Sequence, residues 1–183
     1  VSTYVKEGEP VDICAKERAN SYYFPEKVFH MLPEVLSTDL CSLVPNKDRL
    51  ALTLKVEIDV NYSSINYAFF ESIINSDKRF TYTEVSSILK KLNSSSFADS
   101  LDLLNELTSA FKSRRLNDGL SFAHHEVIFT KDRKNNYNPL TIKKDEDSHR
   151  IVEECMLIAN RIAAKEIIDL NKDSNRSGLF RNH

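Results

Sequence analysis

The stretch from Leu50 to Val60 limits the possible folds more than any other part of the chain. Leu50, Leu52, Leu54, Val56, Ile58 and Val60 alternate with Ala51, Thr53, Lys55, Glu57 and Asp59. Successive side chains of an extended strand point to opposite faces, so this period of two predicts a strand with one buried face. Asn61-Tyr62-Ser63-Ser64 reads as a turn, and Ile65, Tyr67 and Phe69 restart the alternation. Together they predict a β-hairpin.

Helical periodicity follows. Thr81 with Glu84 three residues on has the spacing of a capping box, and Val85, Ile88, Leu89 and Leu92 form one apolar stripe. A second helix is predicted from about Asp99, with Leu101, Leu104, Leu107 and Phe111 on one face, ending at Gly119. Leu120–Phe122 and Val127–Phe129 read as short strands, and residues 131–148 as a polar loop. The last helix is expected from near Ser148, turning Ile151, Cys155, Ile158 and Ile162 inward, and Leu179-Phe180 as the start of another strand. Before residue 50, Pro10, Pro25, Pro33 and Pro45 predict an irregular segment without helices. These elements give an α+β class with a largely antiparallel sheet and packed helices. No internal repeat or linker composition divides the chain.

Composition narrows the function. The 183 residues carry a net charge of −2, which gives no electrostatic support for gripping nucleic acid through phosphates alone. Gly8, Gly119 and Gly178 are the only glycines, against about 13 at ordinary usage, and their scatter excludes a Walker loop or a dinucleotide fingerprint. Cys14, Cys41 and Cys155 are odd in number and far apart. They suit buried thiols in a reducing compartment better than a disulfide framework or a zinc site. No run approaches the roughly 18 apolar residues of a membrane span, so no membrane association is expected. Val1 in place of Met predicts a chain trimmed from something longer.

Several fixed-spacing segments carry a resemblance. Ser21-Tyr22-Tyr23-Phe24-Pro25, Met31-Leu32-Pro33-Glu34, Leu36-Ser37, Leu40-Cys41-Ser42-Leu43 and Asp48-Arg49-Leu50-Ala51 come first. Phe80-Thr81-Tyr82 with Glu84-Val85, His149-Arg150-Ile151-Val152-Glu153-Glu154-Cys155-Met156, and Leu179-Phe180-Arg181 with His183 follow in order. The chain resembles the catalytic RNB domain of the ribonuclease II/ribonuclease R family, and the Met-Leu-Pro-Glu and Glu-Glu-Cys-Met wording is similar to the ribonuclease R branch. The resemblance implies that residues 1–183 are part of that domain, truncated at both ends. It implies a cytoplasmic 3′-to-5′ exoribonuclease that hydrolyses single-stranded RNA processively to nucleoside monophosphates, with flanking RNA-binding domains in the parent protein. Magnesium is the implied cofactor, since clustered carboxylates supply the hard oxygen ligands of a two-metal clamp. By the same resemblance the metal-binding aspartates precede the Val1-Ser2-Thr3-Tyr4-Val5 segment, so no catalytic or metal-binding residue is expected within the chain, which alone should be inactive.

Four residues are implied in RNA binding. Tyr23 matches an aromatic that stacks on bases near the RNA 3′ end, against the competing role of core packing, with Tyr22 its structural neighbour. Phe122 matches the aromatic at the other end of the stacked bases, though a phenylalanine in an apolar strand is more usually core. Tyr82 and Glu153 match positions facing the ribose, where a phenol and a carboxylate suit the donor and acceptor character of a 2′-hydroxyl. A helix dipole would equally favour an acid at Glu153 or Glu154 in the first turns of a helix. Asp145-Glu146-Asp147 reads as solvated capping and His124-His125 as a loop pair. The absence of Gly-x-Ser-x-Gly leaves a hydrolase triad unsupported. The competing functions are a catalytically silent family member that binds RNA or acts as a scaffold, and an interaction domain without an RNA role.

Overall fold

The computed structural model describes residues 1–61, 64–117, 126–131, 136–142 and 146–172. The chain forms two compact units of interleaved segments. Val1–Lys55, Ala68–Arg79 and His125–Ile142 make the first; Val56–Tyr67, Phe80–His124 and Lys143–His183 make the second. Because each is assembled from three separated stretches, no compositional linker could mark the division.

In the first unit, helix α1 spans Pro10–Arg18, against the expectation of an irregular segment. Pro10 stands in its first turn, where a missing N–H costs nothing, so the proline starts this helix. Gly8 reaches φ +80°, and its N–H donates to Asp12 Oδ2 at 2.8 Å. The helix closes on Ala19 in the left-handed region. It buries only Ala15, which leaves Cys14 exposed, and Cys41 is half-buried. The expectation of buried thiols is corrected there.

Strands β1 (Tyr22–Tyr23) and β2 (Val28–Phe29) pair antiparallel, Tyr22 opposite Phe29 and Tyr23 opposite Val28. Pro25 sits in the four-residue connection, where its fixed φ favours a turn, and the Phe24 N–H donates to the Lys27 carbonyl at 3.0 Å. Val35–Leu40 then form a short π-helical turn. Arg49, nearly buried, ties this turn to the following strand, donating to the Ser42 carbonyl at 3.1 Å and pairing with Asp39. The spacing from Asp39 and Ser42 to Arg49 is thus tied by side-chain bonds.

Strands β3 (Asp48–Ile58) and β4 (Ser64–Asn75) form a two-stranded sheet whose far end belongs to the second unit. A connection this short permits only antiparallel pairing. The expected single buried face holds for Leu54, Val56 and Ile58 but is reversed before them. Ala51 and Thr53 turn inward, and Leu50 and Leu52 are exposed, Leu52 to 72%. The phase slips where Thr53 and Leu54 are both half-buried, and a 2.6 Å hydrogen bond between Thr53 Oγ1 and Ser72 Oγ holds the inward register. Ile73, next to Ser72, is exposed on the same side as Leu50 and Leu52.

Within the predicted loop 131–148, Tyr137–Ile142 form a strand and Glu146 begins a helix, which corrects that expectation for the described residues. β6 (Tyr137–Ile142) pairs antiparallel with β5 (Glu126–Lys131), Lys131 opposite Tyr137. Pro139 disguised the strand, and it is tolerated because, among the described residues, β6 pairs on one side only.

In the second unit, α2 (Tyr82–Leu89), α3 (Ala98–Asn117) and α4 (Glu146–Asn171) pack against one another. Ile88, Ile151 and Ile162 are buried, and Thr108 on α3 is fully buried, its hydroxyl donating to the Leu104 carbonyl at 2.8 Å. Leu101, Leu104, Leu107 and Phe111 are half-buried. Leu92, expected on the apolar stripe of α2, lies beyond the helix and is exposed, because the helix ends at Leu89 and Lys91 turns to φ 57°. Tyr67 on the hairpin donates to Glu166 Oε2 of α4 at 3.0 Å. The class is α+β as expected, and among the described residues the sheet falls into three separate two-stranded pieces. Among the described residues, no helix is long and apolar enough to cross a membrane.

Candidate functional site

Tyr23 lies on the small β1–β2 hairpin and is 77% exposed, so core packing does not explain it. The ring next in sequence is exposed as well but has a neighbour: Phe24 meets Phe29 edge-to-face at 5.9 Å, with Lys27 Nζ 4.9 Å from the Phe29 centroid. Tyr22 lines an open groove of about 470 Å³ with Arg18, Phe29 and His30. Arg18 fixes one wall by donating to the His30 carbonyl at 2.9 Å.

Tyr82 is the first residue of α2, and its backbone is fixed by the capping box. The Thr81 hydroxyl accepts from the Glu84 N–H at 3.2 Å, and the Glu84 carboxylate accepts from the Thr81 N–H at 2.7 Å. Such a cap stabilises a helix start by about 1 kcal/mol. The Tyr82 ring stacks on His149 of α4, with centroids 3.8 Å apart and planes 15° from parallel. Glu153 is four residues after His149, which places the two on one face of α4. The second unit thus gathers Tyr82, His149 and Glu153 on a single surface.

Glu153 and Glu154, equivalent on paper, separate sharply. Glu154 is buried and accepts from Arg115 of α3 twice, at 2.6 Å from Nη2 and 3.2 Å from Nε. Its carboxylate holds the Arg115 guanidinium above the ordinary arginine range, chiefly through that hydrogen bond. Burial, then the Glu154 charge, pushes the half-buried Cys155 thiol up. The Glu153 side chain is 60% exposed and lies 3.7 Å from Arg115 Nη2. Because α4 starts at Glu146, Glu153 lies beyond the first two turns, where the dipole has faded, and that explanation for an acid is withdrawn. Asp147 is paired within the helix with Arg150 at 2.7 Å.

Phe122 falls outside the described residues, as do Gly119, the predicted strands 120–122 and 179–180, and His124-His125. Among the described residues no three His, Cys, Asp or Glu side chains converge, so this part of the chain does not fit a magnesium pair. Sequence reasoning gave no role to His149 or Arg115. The four-residue spacing of His149 and Glu153 was the available signal for the first; only the fold reveals the second.

The model of the RNB domain matches residues 1–183. Ribonuclease R of Escherichia coli is 34% identical over 189 residues, covering all of this chain and 23% of that protein. The chain spans about a quarter of the length of the curated relatives it matches. Mycoplasma genitalium RNase R, solved in complex with ribose-methylated single-stranded RNA, superposes with a TM-score of 0.85 at 25% identity, over 93% of this chain and 27% of that one. Yeast Ssd1, described as a pseudonuclease, is also similar, with a TM-score of 0.53 at 25% identity over 66% of this chain and 14% of that one. The segment patterns around Tyr23, Tyr82 and Glu153 and the whole-length match agree: this chain belongs to the RNB-domain family.

Proposed function

We propose that this chain is the RNA-gripping part of a 3′-to-5′ exoribonuclease that degrades single-stranded RNA processively to nucleoside monophosphates. The observation that carries the reading is the shared surface of Tyr82, His149 and Glu153 in a chain matched throughout by the RNB domain. An exposed carboxylate and the edge of a stacked phenol suit a 2′-hydroxyl, which both donates and accepts. Tyr23, exposed on the β1–β2 hairpin, suits stacking on bases near the RNA end. Phe122 keeps the role its resemblance implies, at the far end of the stacked bases.

Magnesium would act through carboxylates elsewhere in the parent protein, and flanking RNA-binding domains would add grip. The segment alone is then inactive. Free thiols at Cys14, Cys41 and Cys155 support a reducing setting such as the cytoplasm.

The test is the full-length protein with matched RNA and DNA oligonucleotides in magnesium. Tyr82→Ala or Glu153→Ala should narrow the RNA-to-DNA rate ratio, because a neutral hydrogen bond is worth about 0.5–1.5 kcal/mol and one to a charged carboxylate about 1.5–3 kcal/mol. Parental ratios in both variants would refute the ribose contacts. The likeness to a pseudonuclease favours one second reading, a silent member that holds RNA without cutting it. Tight RNA binding with no mononucleotide release by the full-length protein would select it.

A further inference from the structure

We propose that His149 is a positioning residue for sugar selection: its imidazole sets the plane of the Tyr82 ring so that the phenol meets the same ribose as Glu153. The inference rests on the ribose-contact reading above and adds a residue to it. Three observations carry it. The capping box fixes where the Tyr82 backbone is but leaves the side chain free to rotate about χ1 and χ2. The near-parallel stack at 3.8 Å and 15° removes that freedom by covering one face of the ring. The residue that covers it stands one turn before Glu153 on the same face of the same helix. A single rigid element therefore carries both the carboxylate and the plate against which the phenol lies. An error in the phenol's direction would weaken a hydrogen bond to the sugar, since such bonds fade steeply with angle.

The plate needs a flat ring and no particular proton. His149→Phe should therefore preserve selection, and His149→Ala should lose it.

The experiment compares Tyr82→Ala, His149→Ala, His149→Phe and the double variant Tyr82→Ala/His149→Ala in the full-length protein. The readouts are RNA-to-DNA rate ratios on matched single-stranded oligonucleotides, with kcat and KM resolved, and melting temperature. An aromatic pair contributes about 0.5–1.5 kcal/mol beyond its buried area, so His149→Ala should lower the ratio roughly two- to tenfold. His149→Phe should stay within about twofold of the parent. The double variant should match Tyr82→Ala alone, because the two residues act through one phenol. A lowered melting temperature with the parental ratio in His149→Ala, while Tyr82→Ala loses selection, would overturn the role of His149 and leave the ribose contact standing. A parental ratio in Tyr82→Ala would overturn the ribose contact itself. Additive losses in the double variant would show that His149 acts on the substrate by another route and would also overturn the proposal.

Discussion

Tyr23 and Phe24 are exposed neighbours with different surroundings. Phe24 spends its ring on Phe29, and Tyr23 presents its ring to solvent from a two-residue strand. In the full-length protein, Tyr23→Ala should weaken short single-stranded RNA by roughly 5- to 150-fold, from about 1–3 kcal/mol of stacking per base. Longer limit products should accompany the loss. Tyr23→Phe keeps the π-face and should behave as the parent. Because the ring is exposed, neither change should lower the melting temperature appreciably, and an alanine variant that trims RNA to the parental length would remove Tyr23 from the site. The aromatic character of this position was legible in the sequence, but its exposure was not. Nothing in Tyr-Tyr-Phe-Pro says that all three rings stay exposed, or that Phe24 meets Phe29 edge-to-face while Tyr22 pairs with it across the strands. The same limit applied to Glu153 and Glu154, which only the arrival of Arg115 from α3 could tell apart.

At the scale of elements, what was legible depended on whether the signal was local. The start of α2 was readable because the capping box is a contract between Thr81 and Glu84 alone. Helix α1 was missed because Pro10 was read as a breaker, although the first turn is the place where proline is welcome. The hairpin was found, and its early phase was missed, because the hydrogen bond between Thr53 and Ser72 is written in two places nineteen residues apart. The hairpin meets α4 through a bond whose pH response has a definite sign. The hydrogen bond to the Glu166 carboxylate, then burial, raises the Tyr67 phenol above its ordinary value. A raised pKa means that the folded form holds the proton more tightly. The contribution is therefore present in full below the unfolded tyrosine range, about 10, and fades as pH rises through the folded value. The stability gap between the parent and Tyr67→Phe should be constant through neutral pH and close only in strong alkali. A gap that closes already between pH 6 and 8 would show that the bond contributes nothing.

For the whole molecule, the alternation that predicted the hairpin also leaves an apolar row on it. Leu50, Leu52 and Ile73 share one exposed face of β3 and β4. Contiguous exposed apolar surface attracts dyes and other chains, and a strand edge beside it offers further pairing. The chain made alone should bind a hydrophobic fluorophore and self-associate with rising concentration, and Leu52→Lys should reduce both. Equal fluorescence from parent and variant would show that this face is not the source.

The interleaving of the two units has a consequence for synthesis. A chain leaves the ribosome from its first residue onward, and a unit can close only once its last strand has emerged. The first unit takes strands β5 and β6 from the His125–Ile142 segment, so it waits for Ile142 while all of Phe80–His124, which belongs to the second, is already outside. Contacts of such long sequence separation form slowly, and surfaces left open in the interval are exposed to association. Helices α2 and α3 can meet early, but the plate that holds Tyr82 arrives with α4, after the strand pair is complete. The elements proposed to recognise the sugar are therefore among the last parts of this chain to be assembled.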